Sequence, residues 1–456
     1  MKPTAWQSLV AASLLIAALS RAETRPQYGG ALRISTRTAP ASLDPATTSL
    51  SDSTTGRNLI HLIFETLVTV DNVGNIHPAL ATSWQAEAGH QRWQFWLRRD
   101  VKFHDGSPLT GDVTAASLRA INPTWNVSPN GDSVVIELDA PTPNLPAQLA
   151  LPGNAIARRS PGGKILGTGA FQIADWQPGK KLTLSANEGY WNGRPFIDSI
   201  AIEMGKGFRE QMIALELEKA DLIEVATEQA RRPGVEGGRV VTSAPIELMA
   251  LVFARDRQSP EDGKLRQALS LSLDRAAIRN VLLQGNGDPA GGILPNWISG
   301  YEFVFSTIGN LRHAQELRGE VPRAPAWTLG YEVSDPLAKL IAERIVLNAR
   351  DAGITLQTSG LAATDLRLVR VPMVSADARM ILTSVAATLG LSQPRFNDNS
   401  VEDLYQAESK VLETQRLIPL FHLPIAYALG PSVKGWGQDR DGIWQLEDVW
   451  VSAEKP

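Results

Sequence analysis

The sequence predicts a mixed α/β fold divided among more than one lobe. Three observations carry this reading. The 456 residues exceed what a single hydrophobic core accommodates. Short apolar strands alternate with segments that are apolar at helical spacing, the pattern of sheets covered by helices. Turns rich in glycine and proline separate these segments, with no internal repeat and no low-complexity tract. A composition of 43% hydrophobic and 20% charged residues is that of a chain that folds throughout.

Residues 1–22 read as an export signal. Lys2 gives the positive end, Ser8 to Leu19 an apolar run too short to span a bilayer, and Ser20-Arg21-Ala22 small residues for cleavage. The mature chain is then expected to start at Glu23. Removing the segment takes away Lys2 and Arg21 and no acid, leaving a formal charge of −6, which argues against a nucleic-acid partner. Cysteine is absent, which excludes disulfides, thiolate chemistry and a lipid-modified cysteine in this sequence. A product free in the periplasm is the expectation.

The mature chain opens on Tyr28-Gly29-Gly30, a turn feeding the strand Ala31 to Ser35, and reaches a second turn at Leu43-Asp44-Pro45. Arg57 to Val70 is apolar at helical spacing through Leu59, Ile60, Ile63, Phe64 and Leu67 and predicts a helix. Trp93 to Leu97 and Val101 to Phe103 predict two strand pieces, with a turn at His104-Asp105-Gly106 and another strand from Ser133 to Asp139. Pro141 to Gly169 reads as loop. Phe171 to Trp176, Lys181 to Ala186 and Asp198 to Met204 read as strands, followed by a helix from Arg209 to Ala220. The apolar strand Leu248 to Phe253 precedes a helix from Lys264 to Leu283 that Gly285 ends. Asp335 caps a helix with Pro336 at its first position; this runs to Gly353, after which Ile354 to Gln357 resumes as strand.

Motifs of catalysis are missing or out of context. His104-Asp105 lies in a tight turn, where adjacent side chains diverge. Gly29-Gly30 and Gly167-Thr168-Gly169 read as positions of special backbone angle rather than phosphate cradles. Gly285-Asn286-Gly287-Asp288-Pro289-Ala290 fits a dinucleotide fingerprint by letter but lacks the preceding strand and the following helix. No Gly-x-x-x-x-Gly-Lys-Ser/Thr loop and no Gly-x-Ser-x-Gly elbow is present. The six histidines are scattered without metal-binding spacing, so no metal and no cofactor is expected. Glu261-Asp262 and Glu402-Asp403 read as solvated faces. Candidate ligand contacts are Thr36, Arg37 and Thr38, which leave the first strand where open α/β sheets bind ligands, and Trp297, in a loop between elements.

Several blocks resemble the dipeptide-, oligopeptide- and nickel-binding proteins of ABC importers, the family 5 extracellular solute-binding proteins. They are Tyr28 to Ile34, Ile63-Phe64-Glu65-Thr66-Leu67-Val68, Gly74 to Trp84, Leu97 to Thr110, Gly167 to Phe171, Asn187 to Pro195 and Leu265 to Ser270. The match thins after about residue 295. The resemblance implies a periplasmic binding protein type II-like fold: two α/β lobes with a hinge plus an extra N-terminal subdomain. Its boundaries would be 23–53 with 165–243 and 430–456 for the first lobe, 54–164 for the β-rich subdomain and 244–429 for the second lobe. It implies capture of a small solute, peptide favoured, delivery to an inner-membrane ABC permease, a monomer and no enzyme. The segment that supplies a carboxylate to a peptide's amino terminus in such proteins has its nearest equivalent at Asp377. A sensor or scavenger without an importer, and a relative that keeps the fold without its ligand, fit the same residues; an enzyme on a binding-protein scaffold would need a nucleophile and base that the sequence does not show.

Overall fold

The computed structural model describes residues 25–452 apart from 48–52, 72–73, 161, 232–237, 302–303, 334, 361–362, 374, 376 and 439–441. The export signal and its cleavage point lie outside the described residues.

The first lobe is built around Ala31–Ser35, whose Leu32 and Ile34 are buried in the core. This strand pairs in parallel with Ser199–Glu203 on one side and Leu222–Val225 on the other. Lys181–Ala186 and Phe171–Gln177 extend the sheet antiparallel beyond Ser199–Glu203. The helix Thr54–Ile63, capped by Ser53 through Gly56 N, packs Leu59, Ile60 and Ile63 into the same core as Leu32 and Ile200. This helix, assigned from sequence to the subdomain, is therefore part of the first lobe. It is also shorter than its apolar spacing predicts. Phe64 is already extended, because Gly169 N reaches in from a distant loop and takes the Ile63 carbonyl at 3.0 Å. A Cβ on Gly167 would overlap that carbonyl, so glycine here serves close approach and not a special backbone angle. Gly29 and Gly30, by contrast, do hold φ of +115° and +86°.

The N-terminal subdomain has its own core, from Leu67 to Leu166, and a four-stranded sheet in the order Ala81–Ala86, Arg92–Leu97, Ser133–Glu137, Asn126–Asn130. Trp93, Phe95 and Leu97 alternate inward from one strand, as period-two patterning requires. Val101 to Phe103 is a single bridge from Lys102 to Pro108 around the turn rather than a strand. Thr110 caps the helix Gly111–Ile121 by accepting from Val113 N.

The second lobe places Leu366–Pro372, Trp327–Gly330 and Leu356–Ser359 beside the crossing strands, covered by the helices Pro260–Ser272, Pro336–Asp351, Ala378–Thr388 and Val401–Glu413. Asp335 caps Pro336–Asp351 from Leu337 N and Ala338 N. The helix read from Lys264 to Leu283 breaks at extended Leu273, where Asp274 caps a new turn through Ala277 N.

Two long antiparallel strands, Arg239–Phe253 and Leu417–Leu429, run from one lobe into the other. Near the first lobe Arg239 to Thr242 face Ala426 to Leu429; within the second, Glu247 to Val252 face Leu417 to Leu423. Between these stretches Pro245 lies opposite Pro424 and the register slips on both sides of Pro245. Neither proline donates to a ladder, so the pairing is weakest at the crossing. Ser243 Oγ fills part of the gap by accepting from Ile425 N at 2.9 Å. The result is two α/β lobes joined at a hinge, with the subdomain docked on the first.

Candidate functional site

Between the lobes lies a cavity of about 580 Å³. Its first wall begins where Ala31–Ser35 ends. Thr36 is buried and shapes the turn, its Oγ1 donating to Thr38 O at 3.1 Å. Arg37 and Thr38 then line the cavity. Arg37 N donates to Glu224 Oε2 at 2.7 Å, and its guanidinium lies 4.4 Å from the Phe208 ring centroid. Glu224 interrupts the apolar strand Leu222–Val225 and also accepts from Thr55 Oγ1 at 2.9 Å. Loss of water pushes its carboxyl above the ordinary range, opposed by the bonds from Arg37 N and the Thr55 hydroxyl.

The facing wall centres on Arg370, near the end of Leu366–Pro372. Its Nη2 meets Glu247 Oε2 at 2.5 Å, and its Nη1 lies 3.7 Å from Asp335 Oδ2. Burial works against the charged guanidinium, but Glu247 first and then Asp335 outweigh it and hold the group above its usual value. Arg370 also reaches across to the first lobe, with Nη2 at 3.3 Å from Thr227 Oγ1. A second crossing contact runs the other way, from Arg57 Nη1 on the helix Thr54–Ile63 to Met373 O at 3.0 Å.

Trp297 sits at the hinge, where Nε1 donates to Pro245 O at 3.1 Å, and is not among the residues lining this cavity. Asp377 caps Ala378–Thr388 by accepting from Met380 N at 3.0 Å, and it too lies away from the cavity lining. Its carboxylate has a structural partner within its own helix. Of the five candidates, Arg37 and Thr38 face the inter-lobe cavity and Thr36 supports their turn. Sequence reasoning missed Glu224, Glu247 and Arg370. The available signal was a charged residue inside an otherwise apolar strand, which is rarely buried without a task.

A second, smaller cavity of about 430 Å³ lies beside the first, between the first lobe and the subdomain, with Ser375 of the second lobe also lining it. Near it the subdomain is docked by polar contacts. Glu65 accepts from Thr168 Oγ1 at 2.7 Å, Trp191 Nε1 at 2.9 Å and Tyr190 OH at 3.1 Å. Arg98 stacks on the Trp191 ring at 4.2 Å, and His104 Nε2 donates to Gly169 O at 3.1 Å. Burial lowers the His104 ring to about 4 and keeps it neutral.

The remaining motifs are structural. Gly285 and Gly287 hold φ of +81° and +74° in a turn, after which Asp288–Pro289 pairs with Leu417–Leu429 instead of opening a helix. Asp403 is buried, not solvated as its acidic neighbour suggested, because it closes a loop by accepting from Asn397 N at 3.0 Å. Among the described residues no three His, Asp or Glu side chains gather to hold a metal ion, and no helix is long and apolar enough to cross a membrane.

A family model for the bacterial extracellular solute-binding proteins, family 5 middle region, matches residues 75–397. The chain belongs to that family. Over 300 residues it is 24% identical to the oligopeptide-binding protein AppA of Bacillus subtilis, covering 58% of this chain and 54% of AppA, so it spans about half the length of that relative. Two solved structures extend the likeness in fold to nearly the whole chain. The nickel-binding NikA of Staphylococcus aureus, in complex with Ni(L-His)2, superposes with a TM-score of 0.77 at 18% identity, over 92% of this chain and all of that one. A dipeptide-binding protein of Pseudoalteromonas in complex with Met-Leu gives 0.78 at 16% identity, over 93% of this chain and 100% of its own. The two-lobed, hinged architecture with an added subdomain is thus that of the solute-binding proteins.

Proposed function

We propose that this chain is the exported receptor of an ABC importer, working as a monomer in the periplasm after loss of residues 1–22. It captures a small polar solute, with short peptides and amino-acid derivatives favoured, by closing its lobes and without covalent chemistry. The observation that carries this is the cavity walled from both lobes, with Arg37 and Glu224 on one side and Glu247, Asp335 and Arg370 on the other. Facing walls that each bear both signs of charge suit a ligand that is itself bipolar. The Arg37 guanidinium lines the cavity and lies 4.4 Å from the Phe208 ring centroid, placed to meet a ligand anion. Three of the relatives point the same way: the oligopeptide of AppA, the Met-Leu of the Pseudoalteromonas protein and the histidine complex of NikA all derive from amino acids. Closure would then present the liganded surface to a membrane permease.

The test is a thermal-shift screen of the mature protein, from Glu23, against amino acids, di- to pentapeptides, sugars, nickel chelates and haem. A ligand bound only by the native state stabilises it by mass action, by about 2.7 kcal/mol at a hundredfold excess over Kd, and so raises the melting temperature. A saturable rise with amino acids or peptides is expected. Cooperative melting that no class shifts would reject the receptor reading.

A further inference from the structure

The inter-lobe cavity and its smaller neighbour share no lining residue, yet their walls meet. On the first lobe Thr54 and Thr55 face the larger cavity, and Arg57 and His61 the smaller. On the second lobe Pro372 faces the larger and Ser375 the smaller. Between them runs the Arg57 side chain, 2% exposed, fixed by Met373 O at 3.0 Å and by Thr54 Oγ1 at 3.1 Å. It forms the dividing wall.

We propose that Arg57 sets the length of the ligand by confining it to the inter-lobe chamber. The proposal rests on the reading of that chamber as the solute site. A chamber of about 580 Å³ would be roughly 10 Å across if compact, whereas four extended residues span about 13 Å. An amino acid or dipeptide therefore fits behind the wall. A longer peptide reaches the second chamber only by displacing Arg57 from Met373.

The wall is also a product of closure. Arg57 stands on the first lobe and Met373 in the core of the second, so their bond exists only when the lobes are together. A ligand that protrudes past Thr54 holds Arg57 away from Met373 and keeps the lobes apart. One that fits lets the bond form. Length is thus selected at the closing step, through the equilibrium between open and closed states, and not at first encounter.

The experiment follows binding by calorimetry and compaction by small-angle scattering on the mature protein, using single amino acids and alanine peptides of two to six residues. Wild type is expected to bind and compact with the short probes, and to bind hexa-alanine at least about tenfold more weakly or without compaction. Arg57→Ala is expected to extend binding to the longer peptides, and Arg57→Lys to restore the limit in part. Because Arg57→Ala removes a buried group, Ala150→Phe gives an independent reading. Ala150 lines only the smaller cavity, so filling it should leave the short probes' affinity unchanged.

Equal affinity and equal compaction with di-alanine and hexa-alanine in wild type would overturn the proposal, and so would a loss beyond about tenfold for short probes in Ala150→Phe. Binding of long peptides alone would refute the partition while leaving the receptor reading standing. No binding by any amino acid or peptide would remove both.

Discussion

The first lobe carries two interfaces that are built in opposite ways. Toward the subdomain, Glu65 gathers three side-chain donors, Arg98 stacks on Trp191, and His104 ties the turn to Gly169 O. Backbone also bonds to backbone there, His104 N donating to Gly167 O at 3.0 Å. Toward the second lobe, the crossing contacts include single bonds from long side chains, Arg57 to Met373 O and Arg370 to Thr227 Oγ1, around an open chamber. The first interface is a fixed dock and the second a latch. A receptor that closes on its ligand needs both, since a lobe can swing cleanly about a hinge only if everything attached to it moves as one body.

Substituting Gly167→Ala strikes the first-lobe loop to which the dock is tied, where Gly167 O accepts from His104 N. The added Cβ would overlap Ile63 O, a backbone atom at the end of a helix that is itself packed in the lobe core. No side-chain rotation relieves such a clash, and a loss above about 3 kcal/mol is expected in urea unfolding. Ligand-free closure should change little in whatever fraction stays folded. A variant with wild-type stability would mean that the loop carrying Gly167 sits more loosely against Ile63 than the contact implies.

Acid should loosen the dock and the second lobe together. The His104 ring is lowered from 6.5 to about 4 by burial, as is that of His422, which is fully enclosed in the second lobe and donates to Ile293 O. With folded values below the unfolded one, the unfolded chain takes up these protons first as pH falls. The stability that neutral histidine supplies is complete above about 6.5 and drains away between about 6.5 and 4. For His422 the loss is on the order of 3 kcal/mol. Chemical denaturation at a series of pH values reads it directly, and His422→Asn should flatten the slope by up to one proton. An unchanged slope in that variant would show that the ring is accessible to protons in the native state.

Of the dock the sequence showed only the turn at His104-Asp105-Gly106, and of the latch nothing, for a physical reason. The turn is set by local residues, whereas Glu65, read from apolar spacing as part of a helix, meets Thr168, Tyr190 and Trp191 from segments far along the chain. The strands from Phe171 and Lys181 and the Asp335-Pro336 helix start were readable on the same local grounds. The chamber draws Arg37, Glu224, Glu247 and Arg370 from segments far apart in the chain, and only the folded sheet brings them together. Helix ends misled where a distant group decided them. Apolar spacing carries the first helix on to Val70, yet Gly169 N ends it at Ile63.

The latch can be probed without knowing the ligand. Thr227→Val keeps the shape of the side chain and removes the first-lobe acceptor for Arg370, which retains Glu247 and Asp335 and so is not left unpaired. The fold should therefore be spared and only the closing equilibrium shifted. A hydrogen bond of 3.3 Å to a charged donor is worth about 1 kcal/mol net, roughly a fivefold change in the ratio of closed to open. Because the chain contains no cysteine, one label can be placed on each lobe through Ile213→Cys and Leu340→Cys, both exposed. Pulsed spin-label distances should shift toward the longer population in Thr227→Val while the melting temperature holds. If the distances stay fixed, the Arg370 contact follows closure without stabilising it.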